Sequence, residues 1–306
     1  MFQFSNDNNG LGLLDNIHWK AGLSLISYGV QVGIRINEKS VLDAWLDYLP
    51  PNWQPSTSSV VDELYSLIVS DSDSFYRLYR GEELIAESPE IEDILESFDS
   101  DLRLQIGTLV KDQLFVHAGV VERRGQAIVI PGYSWSGKTT LVAALVKAGA
   151  IYYSDEYAVL DLNGWVHSYP RSLSIRQGEG QRTKRCPVEA LGGIAGEKPI
   201  PIGLIVQTQY QPEAQWSPQK ISAGQAVLTL LDNTLVARLR PEFALPILGK
   251  AVSGAVILKS QRGEAEETAK ALLQDFDNFR TYALYKLTIM CMNDIWSFQA
   301  LRIKSR

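Results

Sequence analysis

The sequence predicts an α/β fold in which a mixed sheet lies within residues 111–306 and a smaller α+β region occupies residues 1–110. Three observations carry that prediction. Between Leu114 and Leu160 the chain reads strand, turn, strand, glycine loop, helix, strand, an order typical of α/β nucleotide-binding units. The loop, Gly132-Tyr133-Ser134-Trp135-Ser136-Gly137-Lys138-Thr139, fits G-x-x-x-x-G-K-[ST] between an apolar strand and a helix. Ahead of it, short apolar runs with turn signals mark a separate α+β unit.

Taken in order, Gly22–Asn37 alternates β-branched and aromatic residues with glycine and reads as one or two strands. Glu38–Tyr48 spaces Val41, Leu42, Trp45 and Leu46 at helical intervals, and Leu49-Pro50-Pro51 stops that helix. Val60–Val69 and Phe75–Tyr79 are apolar runs, and Arg80-Gly81-Glu82-Glu83 is a hairpin turn into Leu84-Ile85-Ala86. Ser88-Pro89-Glu90 sets a capping residue and a proline before a helical period through Ile91, Ile94, Leu95 and Phe98, which resumes over Leu102–Leu109. Strands are expected at Leu114–Arg123, Gln126–Pro131 and Ala150–Asp161, with a helix over Thr139–Gly149. Trp165–Arg176, Ile202–Gln209, Ala226–Leu231 and Ala255–Lys259 read as strands or short helices on the rest of the sheet, and Phe279–Phe298 as a helix packed on its own domain, with a subunit contact as the alternative.

The 306 residues, 45% hydrophobic and 21% charged, are enough to bury a sizeable core. A net charge of −6 and a pI near 5.3 argue against nucleic acid or an anionic membrane as the main partner, since such binding needs clustered Lys and Arg. Cys186 and Cys291 have neither metal-ligand spacing nor a disulfide framework and read as packing residues. The N-terminal residues lack a signal-peptide pattern and no run of about 18 apolar residues occurs, so a soluble, cytoplasmic protein is expected.

In the loop, Gly132 and Gly137 let backbone N–H groups of the segment, including those of Ser134, Ser136 and Thr140, curl around a phosphate. The Lys138 ammonium reaches the β and γ oxygens of a triphosphate, and the Thr139 hydroxyl can ligate the Mg²⁺ that bridges them. The helix N-terminus adds partial positive charge at the same place. Trp135 carries a ring too large for the cradle, so it should point toward solvent or a substrate.

Asp155-Glu156 falls in the next strand, where phosphate-loop enzymes place the carboxylate that holds Mg²⁺. In a regular strand only one of two neighbouring side chains faces the site. A strand end or bulge lets both serve, one on metal and one on an incoming hydroxyl; a strand-end salt bridge is the alternative. His117, in an apolar strand, reads from spacing alone as a core residue. Arg171 and Arg176 flank the short strand Ser172–Ile175, where either stabilises a transferring phosphoryl group or pairs with a surface carboxylate. His18 and His167 carry no such signal.

Together, His117-Ala118-Gly119, the loop through Thr140-Leu141, and Tyr153-Ser154-Asp155-Glu156-Tyr157-Ala158-Val159-Leu160 resemble the catalytic domain of the HPr serine kinase/phosphorylase family, especially its shorter HPr-kinase-related members. They are more distantly similar to ATP-dependent phosphoenolpyruvate carboxykinase. The resemblance covers about Leu114–Arg176. It implies an HPr kinase-like phosphate-loop domain with ATP and Mg²⁺ on Lys138 and Thr139. Asp155 is then the general base on a serine hydroxyl, Glu156 the second metal carboxylate, and His117 lies near the transferred phosphate. The glutamate-arginine-glycine-rich second signature of the true HPr enzymes has no counterpart around Val188-Glu189-Ala190-Leu191-Gly192-Gly193, so the resemblance does not extend to HPr as substrate or to phosphorolysis.

The expected function is therefore a Mg·ATP-dependent kinase that phosphorylates a serine-type hydroxyl on a peptide, a protein or a small molecule, with residues 1–110 a substrate-recognition or accessory region. A nucleotide-dependent switch or assembly ATPase is the alternative, and a carboxykinase-like enzyme the third. The residues leave ATP, GTP and pyrophosphate open as donors. The hexamers of the resembled kinases allow a homo-oligomer.

Overall fold

The strand entering the glycine loop, Gln126–Pro131, sends Ala127 and Val129 to one face of a sheet and Ile128 and Ile130 to the other, and all four are buried. Successive side chains on a strand point to opposite faces, so a strand apolar at every position needs cover on both sides. The computed structural model, which describes residues 3–4, 14, 17–70, 74–133, 136–176 and 183–279, supplies that cover. Helices Ala223–Asp232 and Pro241–Val252 pack on the face of Ala127 and Val129. Helix Lys138–Lys147 and the helix at 265–279 pack on the face of Ile128 and Ile130.

The central sheet is mixed and eight-stranded. Its path runs Val166–His167, Tyr157–Asp161, Gln113–Arg123, Gln126–Pro131, Ile202–Tyr210, Val256–Arg262 and Gln219–Lys220, and Ile151–Ser154 pairs beside it on Gln113–Arg123. Gln126–Pro131, Ile202–Tyr210 and Val256–Arg262 are mutually parallel, so their C-terminal ends share one edge, and the glycine loop leaves from that edge. Ligands of open α/β sheets bind at such an edge.

A second sheet of six strands, in the order Gln54–Pro55, Ala21–Ser27, Val30–Ile36, Glu63–Val69, Tyr76–Arg80 and Glu83–Ser88, forms the N-terminal region. Helix Ile91–Leu109 lays Ile94, Leu95, Phe98, Leu102 and Ile106 on it at helical spacing. The same core continues into the central sheet through Phe115, Tyr157 and Tyr169, whose rings meet edge to face with Tyr28 stacked against Tyr169.

The structure differs from expectation in several elements. The helix expected over Glu38–Tyr48 is a 3-10 turn, Lys39–Val41, followed by one turn of α-helix, Leu42–Leu46. The expected strand Ala150–Asp161 breaks at Asp155-Glu156 into two strands paired to the same neighbour. Of the two forms left open for Ala226–Leu231, strand or short helix, it takes the helix, Ala223–Asp232, whose start is fixed by a reciprocal cap between Ser222 and Gln225. Helix Pro241–Val252 has no counterpart in the sequence reading; Pro241 fits its first turn, and Pro246 lies inside it. The C-terminal helix expected over Phe279–Phe298 lies outside the described residues beyond Phe279.

Candidate functional site

The glycine loop turns into its helix at Gly137, the N-cap residue, with φ of 80° and ψ of 18°. That left-handed conformation costs an L side chain strain, and a Cβ there would also run into Arg262. Arg262, at the end of its strand, donates from Nη2 to the Gly137 carbonyl at 2.9 Å and from Nη1 to Gly263 at 3.2 Å. Only 2% exposed, its guanidinium is held below its usual range by burial, and it fixes the loop from beneath.

Lys138 is buried and donates to the carbonyls of Gly132 at 2.6 Å and Tyr133 at 2.8 Å, inside its own loop. Burial brings its ammonium down to about 8, although Glu156 and Asp155 act in the opposite direction. At the next residue, Thr139 Oγ1 donates to Asp155 Oδ2 at 3.0 Å, and the Tyr152 hydroxyl shares its one proton between Asp155 Oδ1 at 2.9 Å and the Arg171 carbonyl at 2.8 Å. Burial raises the Asp155 carboxyl above its usual range against these two hydrogen bonds.

The break in the strand has a local cause. Ser154 Oγ accepts from the amides of Glu156 at 3.0 Å and Tyr157 at 2.9 Å, a side-chain turn that competes with strand pairing. As a result both carboxylates of Asp155-Glu156 line the cavity beside the loop, which alternation in a regular strand forbids. Glu156 Oε1 lies 3.1 Å from His117 Nε2 and 2.9 Å from Arg103 Nη1. Burial pushes Glu156 up, but the His117 hydrogen bond and the Arg103 and Arg171 charges outweigh it and hold the carboxyl at about 2. His117 Nδ1 is 2.9 Å from the Gly132 carbonyl, so both ring nitrogens face acceptors.

A cavity of about 410 Å³ joins Gly137, Lys138, Thr139 and Thr140 of the loop to His117, Asp155 and Glu156. It continues along the loop helix past Ala143, Ala144 and Lys147 to Ile175, Leu191 and Glu266. A second cavity of about 460 Å³ lies on the other side of His117 and Glu156 and is bounded by Arg103, Tyr133, Tyr157 and Asp232–Leu235.

Of the residues singled out in sequence, the structure brings together His117, Gly132, Ser136, Gly137, Lys138, Thr139, Thr140, Asp155 and Glu156. Arg171 is not in the cavity wall: its guanidinium pairs with Asp99, from where its charge still acts on Glu156 and Asp155, and its carbonyl meets Tyr152. Ser134, Trp135 and the Arg176 side chain lie outside the described residues. His167 pairs with Asp161 at 3.3 Å, away from the loop. Arg103, Tyr152 and Arg262 were not singled out in sequence.

Among the described residues no group of three or more His, Cys, Asp and Glu side chains is placed to hold a metal ion by itself. No helix among them is long and apolar enough to cross a membrane. No protein-family model and no curated protein matches the sequence. The solved structure of the Hpr(Ser) kinase/phosphatase from Coxiella burnetii is similar over 56% of this chain and 99% of that one, with 14% identity and a TM-score of 0.31, a likeness too distant to carry a functional argument.

Proposed function

We propose that the chain is a phosphotransferase that moves the terminal phosphate of Mg·ATP to a serine-type hydroxyl of a peptide, a protein or a small molecule. The observation that carries this reading is the cavity in which the glycine loop, two carboxylates and a histidine converge. The loop amides and Lys138 suit the phosphates. Magnesium takes one or two protein oxygens besides phosphate and water, and Thr139 Oγ1 with Asp155, already 3.0 Å apart, fit that need. Bound there, the ion supplies neutralising charge. The protein groups position the acceptor and stabilise charge on the moving phosphoryl group, the main work of such catalysis.

Incubation with γ-labelled ATP and Mg²⁺, alone and with cell lysate and peptides, tests this reading. Label in an acceptor is the expected result; tight ATP binding with no labelled acceptor overturns it. That outcome favours a nucleotide-driven switch, for which the Arg103–Glu156 ion pair, joining the N-terminal region to the loop site, is the supporting observation.

A further inference from the structure

The two cavities on either side of His117 and Glu156 differ in what they contain. The first holds Lys138, Thr139 and Asp155, the groups suited to phosphate and metal. The second holds none of these; its wall carries the polar residues Ser100, Arg103, Tyr133, Asp232, Asn233 and Thr234. Only His117 and Glu156 line both. Asp155 is committed to the first side, since Thr139 holds one of its oxygens and Tyr152 the other. Glu156 stands at the partition, with Oε1 turned to His117 and Arg103.

Resting on the phosphotransferase reading, we propose that the second cavity is the acceptor compartment. The acceptor then meets the nucleotide across the partition, so Glu156 faces its hydroxyl while Asp155 stays with metal and phosphate. This exchanges the roles that the resemblance to HPr kinases implies for the two carboxylates. In the transfer, the acceptor oxygen bonds to the terminal phosphorus as the bond from that phosphorus to its bridging oxygen breaks. The electron pair stays with the departing nucleoside diphosphate, and the acceptor's proton passes to Glu156. Phosphoryl transfer asks such a group mainly to orient the nucleophile, and Arg103 and His117 hold the carboxylate still for that purpose. The compartment also bounds the acceptor's chemistry. Arg103 is neutralised by Glu156, while Asp232, exposed, has no cationic partner among the described residues. The hydroxyl it admits belongs to an uncharged or basic group, since an anionic acceptor meets uncompensated negative charge.

The full-length chain and three variants test this. Glu156→Gln and Asp155→Asn separate the carboxylates, and Ser100→Trp places a ring at the wall of the second cavity from an exposed helix position. Calorimetry gives the affinity for ATP with and without Mg²⁺, which also shows that each variant is folded. Transfer from γ-labelled ATP is followed to water and to two pools of serine-centred heptapeptides, one flanked by lysine and one by glutamate. Glu156→Gln should keep Mg·ATP affinity within about threefold and lose at least about 50-fold in transfer to water and peptide. Asp155→Asn should bind ATP no more tightly with Mg²⁺ than without. Ser100→Trp should leave Mg·ATP affinity unchanged and raise the peptide KM by about tenfold or more, with the lysine-flanked pool preferred in the wild type. Full transfer by Glu156→Gln, an unchanged peptide KM in Ser100→Trp, or preference for the glutamate-flanked pool overturns the assignment. A wild type that binds Mg·ATP and transfers to neither water nor peptide instead removes the phosphotransferase reading beneath it. If only water is an acceptor, the hydrolysis rates still decide between Glu156 and Asp155.

Discussion

Arg103 Nη1 lies 2.9 Å from Glu156 Oε1, which ties the long helix of the N-terminal region to the carboxylate at the break in the central sheet. The same arginine donates from Nε to the Asp99 carbonyl at 3.0 Å, and the Asp99 carboxylate receives Arg171 and, at 3.2 Å, Arg185. One helix therefore gathers three arginines, and of these Arg103 is the one whose guanidinium pairs directly with a carboxylate of the site.

Breaking this pair should be costly, because it leaves a largely buried charge without its strongest cationic partner. Arg103→Met is expected to lower the unfolding free energy by about 3 kcal/mol, as for other buried pairs that lose one member. Adding Glu156→Gln should restore part of that loss, with a coupling of about 1–3 kcal/mol in a double-mutant cycle read by urea unfolding. Additive losses would show that the two side chains do not interact energetically.

The loop helix sits against its sheet at Gly119, where an added Cβ would lie 2.6 Å from Val142 Cγ2. Val142 is fully buried and has no room to retreat. Gly119→Ala should thus cost about 1–3 kcal/mol by overpacking, and pairing it with Val142→Ala should recover most of the loss. Urea midpoints that stay at the wild-type value in the single variant would show that helix and strand can separate freely.

What was legible in the sequence shares a physical character with these contacts, and so does what was not. Gly132–Thr139 was readable because loop, strand and helix are local chemistry, each residue type demanded by its neighbours. The acidic pair was readable as a pair, and the strand break that lets both members serve was left open because it depends on Ser154, a residue that caps as readily as it pairs. His117 looked like core until set beside the loop, since a strand of apolar residues hides one polar member. Arg262 meets Gly137 from 125 positions away, and nothing local marks it. Arg171 was left between the phosphates and a carboxylate partner, and Asp99, from the N-terminal region, is the carboxylate that holds its guanidinium.

Lys138 makes the loop sensitive to pH. Its ammonium sits at about 8 in the folded chain against an ordinary value of 10.5, chiefly through burial. Between those values the unfolded chain holds the proton more firmly than the folded one, so unfolding free energy rises with pH across that window, and below it the cost of burying the charge is borne in full. Relative to Lys138→Met, the wild type should gain up to about 3 kcal/mol as pH climbs from neutrality through the window, measured by urea unfolding. A phosphate supplies the counter-charge that burial withholds, so Lys138 should bind its proton again when nucleotide arrives. Calorimetry of Mg·ATP binding at about pH 9, in two buffers of different ionisation enthalpy, should show net proton uptake by the wild type and none attributable to this position in Lys138→Met. Equal proton uptake in both proteins would mean that the lysine keeps its charge in the empty loop, held by the Gly132 and Tyr133 carbonyls against the cost of burial.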